Sequence, residues 1–153
     1  MSVSQKIADL RKEYAQDELD INHVNADPLA QFQTWFDEAY AAAVPEPNAM
    51  TLATADARGI PNARIVLLKG MDQNGFVFYT NYQSQKGLEL SENPYAALVF
   101  HWHELERQVR VSGWVEKVDA KTSDAYFRSR PAGSQRGAWA SPQSQPIPDK
   151  QVI

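Results

Sequence analysis

Residues 49–80 read AMTLATADARGIPNARIVLLKGMDQNGFVFYT, and the fold turns on this stretch. Ala49–Ala55 and Asn62–Lys69 are short runs of apolar and β-branched residues, separated by the turn Arg58-Gly59-Ile60-Pro61. Met71-Asp72-Gln73-Asn74-Gly75 carries an Asn-Gly turn signal ahead of a third run, Phe76–Thr80. Downstream, Tyr95–His103 and Arg107–Val118 read as two longer strands around Glu104-Leu105-Glu106. Five strands joined by such short turns predict an antiparallel sheet or barrel, not a doubly wound parallel sheet.

Helical signals flank the strands. Residues 2–15 place Ile7, Leu10 and Tyr14 on one helical stripe, and a polar arm follows to Ala26. Asp27-Pro28 is a helix start, an N-cap carboxylate ahead of a proline. Leu29, Phe32, Trp35, Phe36, Ala39 and Tyr40 form the apolar face of that helix, which should end before Pro45. Ser84–Ser91 predicts a short helix capped by Ser84 and ended by Asn93-Pro94. Thr122–Arg130 predicts another, and from Pro131 onward the chain reads as loop with one short helical turn. The organisation expected is a single α+β domain over 1–153, with a helix and arm in 1–26 and a helix plus barrel in 27–153.

Composition narrows the function. The 153 residues are 43% hydrophobic and 22% charged, a soluble globular balance. Fifteen basic against 19 acidic side chains leave a formal charge of −4. That argues against a general nucleic-acid or anionic-membrane binder, which needs a basic field. Zero cysteines exclude disulfides, thiolate zinc sites and cysteine nucleophiles. No apolar run approaches the ~18 residues of a membrane span, and the first residues lack a secretory apolar segment. A cytoplasmic protein is the expectation.

None of the common phosphate-loop, dinucleotide, metalloprotease or nucleophile-elbow motifs is present. His101 and His103 share one strand face, and the plainer reading is a pair of rim histidines, with no metal expected. Cations at the ends of elements say more. Arg64 and Lys69 bracket Ile65-Val66-Leu67-Leu68, and Lys86 falls in the first turn of a helix beside backbone donors. Arg107 and Arg110 flank Gln108, and Arg128, Arg130 and Arg136 follow. Fixed cations in an acidic protein suit compact anionic ligands, although solvated charges or rim salt bridges would explain each one equally well. Arg64 and Lys69 differ by an odd number of positions, so a regular strand points them to opposite faces. They could serve one ligand only through a bulge, or through a ligand lying along the strand, which would have about 16 Å to span.

Taken in order, Arg11-Lys12-Glu13-Tyr14, Asp27-Pro28, Arg64–Lys69, Phe78-Tyr79-Thr80-Asn81, Ser84 with Lys86, Leu105–Val109, Tyr126–Pro131, Ser134-Gln135, Gly137-Ala138-Trp139 and Gln143-Ser144 resemble the pyridoxine/pyridoxamine 5′-phosphate oxidases. The resemblance implies an antiparallel split β-barrel, FMN at a homodimer interface, and O₂-dependent oxidation of a phosphorylated B6 vitamer with release of H₂O₂. It implies that FMN is held by Arg64, Ile65, Val66, Leu67, Leu68, Lys69, Tyr79, Thr80, Lys86, Gln108, Gln143 and Ser144. By the same resemblance the substrate meets Lys69, Tyr126, Arg130 and Ser134, and Arg11, Lys12, Glu13 and Tyr14 help close the site. No general base is assigned.

Two departures accompany the resemblance. Gln85 stands where the family usually has arginine. Members also continue well past the position of Ile153, so the barrel's final strands are expected to be missing from this chain. The alternatives are a non-enzymatic FMN or pyridoxal phosphate binding protein, and a split-barrel flavin oxidoreductase with another substrate.

Overall fold

The computed structural model describes residues 3–10 and 18–146. Helix α1 covers Val3–Asp9, and its Val3 and Ile7 are exposed, so the apolar stripe expected there has no cover among the described residues. The expected helix ran on through Tyr14, but Arg11–Tyr14 lie outside the described residues.

Helix α2, Pro28–Ala41, starts as the sequence requires: the Asp27 carboxylate accepts from Leu29 N at 2.9 Å, with Pro28 next. Phe32 and Ala39 are buried, with Trp35 and Phe36 packed beside them. Tyr40, expected on this face, is 75% exposed and belongs to the solvent side.

Four strands form one antiparallel sheet in the order β2-β1-β5-β6: β1 Ala49–Ala55, β2 Pro61–Leu67, β5 Tyr95–Trp102 and β6 Arg107–Trp114. The β1–β2 turn closes through the Asp56 carboxylate, which accepts from Arg58 N and Ile60 N. Gly59 supplies the positive φ of 78° that this turn needs. β2 stops at Leu67 and not at Lys69, because its partner β1 begins at Ala49. Leu68 N turns instead to Asn48 O and Lys69 N to Val77 O.

The single strand expected at Phe76–Thr80 is a hairpin of β3 Gly70–Asp72 with β4 Gly75–Val77, and Phe78–Thr80 leave it as irregular chain. β6 stops at Trp114 instead of Val118, since the facing strand β5 starts at Tyr95, directly after Pro94. Three further α-helices are α3 Gln85–Glu92, α4 Ala120–Ser129 and α5 Ala132–Ala140, and short 3-10 turns stand at Ile21–His23 and His103–Leu105. Helix α5 has nine residues where a loop with one short helical turn was expected.

The core lies on one face of the sheet, under α2 and the β3–β4 hairpin. Met50, Leu52, Leu98, Phe100 and Trp102 project from the strands against Phe32. Phe32 meets Phe76 edge-on at 4.8 Å and Phe100 at 5.0 Å, while Trp102 Nε1 donates to Pro47 O at 2.9 Å. The opposite, outer face has no covering element among the described residues. The architecture is the expected antiparallel α+β arrangement, open rather than closed, as in a split barrel. Among the described residues no helix is long and apolar enough to cross a membrane.

Candidate functional site

Helix α3 carries the first functional side chains, and its seat is set by local chemistry. Ser84 caps it, donating to Asn81 O at 2.6 Å and accepting from Gly87 N at 3.4 Å. Gly87 presses onto the preceding loop so closely that a Cβ there would stand 2.4 Å from Tyr82 O. This packing drives Lys86 and Glu89 inward, at 8% and 6% exposure, while Leu88 on the same helix is exposed. Charged residues inside and a leucine outside invert the usual amphipathic order.

Glu89 meets the polar end of the inner sheet face. Arg64 Nη2 donates to Glu89 Oε2 at 2.9 Å, and Thr54 Oγ1 donates to the same oxygen. Asn62 Nδ2 and Gln85 Nε2 donate to Oε1 at 3.3 and 3.0 Å. Arg64 Nη1 is also held, by Leu52 O at 3.3 Å and by Thr54 Oγ1. Burial pushes the Glu89 carboxyl up, but the bonds from Thr54, Asn62, Arg64 and Gln85 outweigh it and hold the group below its ordinary value.

Beside this network, along the free edge of β2, runs a cleft of about 340 Å³ lined by Asn62, Ala63, Arg64, Ile65, Gln85, Lys86, Gln143 and Ser144. Lys86 Nζ donates to Gln143 Oε1 at 3.0 Å. Burial first, and the Arg64 charge second, lower the Lys86 pKa. A buried ammonium next to a guanidinium is costly alone and favourable with an anion between them. The donor set suits a phosphate. Ser144 holds a left-handed φ of 66°, strain of a kind found at ligand sites.

A second group forms around Tyr79, whose ring stacks on Tyr126 of α4 at 3.7 Å and 3°. Lys69 is tied to the same neighbourhood through its backbone bond to Val77 O. One turn beyond Tyr126, Arg130 ends α4, and Ser134 stands exposed in the first turn of α5. Gln135 Nε2 joins the two helices by donating to Arg130 O at 2.7 Å. Tyr79 and Thr80 also open onto a larger groove of about 920 Å³ between the β3–β4 hairpin, α3 and the end of β6.

Several expected residues fall elsewhere. Val66 and Leu68 pack their side chains on the core, which leaves only their backbone to a ligand. Ile65 points to the outer face at 66% exposure. Arg64 turns inward from β2 to Glu89, while Lys69, two residues past the end of that strand, is exposed. Gln108 faces outward from β6, at the opposite edge of the sheet from the β2 cleft, paired in register with His101. Thr80 Oγ1 lies 3.3 Å from Ser84 Oγ. The His101 and His103 rings are 5.9 Å apart, and no group of three or more metal-ligating side chains gathers among the described residues. Sequence reasoning missed Glu89, Thr54 and Asn62. Its one available signal was an acid four residues after Gln85 and three after Lys86, on the same helical face.

An open antiparallel sheet with a phosphate-ready cleft along one edge is the setting of a flavin-binding split-barrel oxidoreductase. The sequence profile of the pyridoxamine 5′-phosphate oxidase family matches residues 36–153, and the chain belongs to that family, whose cofactor is FMN. It is 60% identical over 148 residues to a pyridoxine/pyridoxamine 5′-phosphate oxidase of Cupriavidus pinatubonensis, covering 97% of this chain and 70% of that one. A protein of the same name from Polynucleobacter asymbioticus is 61% identical over 147 residues, covering 96% and 70%. Among solved structures, PhzG from Burkholderia lata, in complex with tetrahydrophenazine-1-carboxylic acid, superposes with a TM-score of 0.84. It is 28% identical, with 89% of this chain and 68% of that one covered. A related FMN-binding protein from Nostoc punctiforme shares the fold at a TM-score of 0.64 and 17% identity, with 84% and 72% covered.

Proposed function

We propose that the chain takes part in FMN-dependent oxidation of pyridoxamine or pyridoxine 5′-phosphate to pyridoxal 5′-phosphate. The observation that carries this reading is the buried Lys86 beside Arg64 in a cleft also lined by Gln143 and Ser144. Those four residues, drawn from three distant segments, are ones the family resemblance assigned to FMN. Arg64 and Lys86 would hold the cofactor phosphate, with the Gln143 amide and Ser144 hydroxyl beside them. Lys69, Tyr126, Arg130 and Ser134 would hold the phosphate of the vitamer. The chemistry FMN brings is acceptance of two electrons from the substrate and their return to O₂ as H₂O₂. The described residues lining the β2 cleft are amides, a hydroxyl, cations and apolar groups, which bind and orient a ligand.

Gln108 supports a homodimer. It stands across two intervening strands from the β2 cleft, on the order of 14 Å away. The same outer face carries the exposed aromatic pair Tyr95 and Trp114, 5.1 Å apart, and the half-buried Ala53, Ala97 and Val99. Apposing two such faces would cover this apolar area and bring one subunit's Gln108 toward the other's cleft. Sedimentation of wild type and Ile65→Glu tests this: a monomeric wild type removes the dimer from the reading.

The decisive assay supplies FMN and pyridoxamine 5′-phosphate and follows H₂O₂ and pyridoxal 5′-phosphate together. Equimolar formation of both is expected. A flavin-loaded chain without turnover would be a carrier instead. The likeness to PhzG gives a second reading, a flavin oxidase of another substrate, and turnover of an unphosphorylated tricyclic acid alone would favour it.

A further inference from the structure

We propose that Glu89 is a positioning residue that fixes the Arg64 guanidinium for the phosphate end of the cofactor. The inference rests on the reading of the β2 cleft as a phosphate site and goes beyond it, since Glu89 belongs to none of the expected ligand contacts. Arg64 has five N–H donors, and three of them are committed: one to Glu89 Oε2, one to Leu52 O and one to Thr54 Oγ1. Those bonds fix the plane of the guanidinium, and two of its donors remain for a ligand in the cleft that Arg64 lines with Lys86. Without Glu89, Arg64 would keep only neutral acceptors and regain the rotamers of a long side chain at a strand edge.

Glu89 itself cannot drift. It is 6% exposed, both its oxygens are engaged, and Gly87 locks its helix to the Tyr82 backbone. Gln85 is part of the same device. Where the family resemblance leads one to expect a cation, this chain has an amide that donates to Glu89 Oε1. Glu89 therefore gathers Arg64 from the strand and Gln85 from its own helix onto one buried carboxylate. It touches no ligand in this role and acts through Arg64.

The test compares FMN with riboflavin, which lacks the phosphate, by quenching of flavin fluorescence on the full chain. Wild type is expected to bind FMN the more tightly, and no preference would overturn the phosphate reading and this proposal together. Glu89→Gln keeps the size and one acceptor oxygen, but it turns the other into an NH2 donor and removes the ion pair. It should lower the FMN-to-riboflavin affinity ratio about tenfold, the size of one charge-assisted contact, with riboflavin affinity nearly unchanged. In an Arg64→Met background the same substitution should leave the ratio where Arg64→Met alone put it. Should Glu89→Gln fail to fold, Thr54→Val removes the hydroxyl shared by Glu89 and Arg64, and a smaller fall in the same ratio is expected. Equal loss of both flavins would make Glu89 a structural residue. A rise in the ratio would make it a brake on the site's charge, and a fall that persists without Arg64 would mean it acts by another route. Each of these overturns the proposal.

Discussion

Along β1, Met50, Leu52 and Thr54 project to the same face of the sheet, yet they enter two different environments. Met50 and Leu52 join Phe32, Phe100 and Trp102 in an apolar cluster. Thr54, two residues on, joins Arg64, Asn62 and Glu89 under α3. The apolar end is held by area and shape, and its loss is felt in proportion to the volume removed. The polar end is held by complete pairing: no buried side-chain polar atom among the described residues lacks a partner. Such a network tolerates little rearrangement, and it borders the cleft. Folding and binding are thus expected to answer to different halves of one surface.

The strongest way to break that division is to cut the apolar half. Phe100 is fully buried against Phe32 and Trp102. Phe100→Ala should lower stability by about 3–5 kcal/mol in chemical denaturation, while FMN bound per folded molecule stays unchanged. Loss of flavin from the folded fraction would show that the two halves are not separable.

Lys86→Met reverses the test. FMN affinity should fall about tenfold or more, the scale of a lost charge-assisted contact. The melting temperature measured without flavin should hold or rise, because burial disfavours the ammonium. A cooperative loss of stability would place Lys86 in the scaffold.

Acid sharpens the comparison without mutation. The Glu89 carboxyl titrates below its ordinary value of 4.5, so the folded state binds fewer protons there than the unfolded one. Its contribution is complete above that ordinary value and is lost as pH falls through the lower, folded-state pKa. Denaturant midpoints should drop across that acid range for wild type and less for Glu89→Gln, with Phe100→Ala following wild type. The smallest effect belongs to Ser144→Gly. Relief of the positive φ should raise stability by about 0.5–1 kcal/mol, and the lost hydroxyl should cost a few-fold in FMN affinity. An unchanged affinity would remove Ser144 from the site.

Much of the fold was legible because its signals are local. Asp27-Pro28 and Ser84 cap their helices as their side chains require, and the pairs β1–β2 and β5–β6 follow from short turns. Strand ends were less legible, since β2 and β6 stop where their partners stop, a tertiary fact. Helix α5 was hidden by Gly133 and Gly137, whose low helix propensity reads as loop. At the site, the odd spacing of Arg64 and Lys69 assumed one strand reaching Lys69, whereas β2 ends at Leu67. Gln108 could not be placed from spacing alone, because strand order decides which sheet edge it occupies. Glu89 was invisible for a different reason: a glutamate in a short helix ordinarily faces water, and only the Gly87 contact turns it inward.

The hydroxyl of Thr54 gives the buried ion pair a direction. It donates its one proton to Glu89 and accepts from Arg64, while the carbonyl of Leu52 accepts from Arg64 as well. Strand β1 thus offers oxygen lone pairs to Arg64, while the amides of Asn62 on β2 and Gln85 on α3 donate to the acid. A carboxylate at position 64 would face the Leu52 carbonyl, and a guanidinium at 89 would face the donors of two amides. Exchanging the two charges conserves their sum but leaves the Leu52 carbonyl, a fixed acceptor, facing an acid. The backbone itself therefore tells the two ends apart, and charge complementarity alone is not interchangeable currency at this spot.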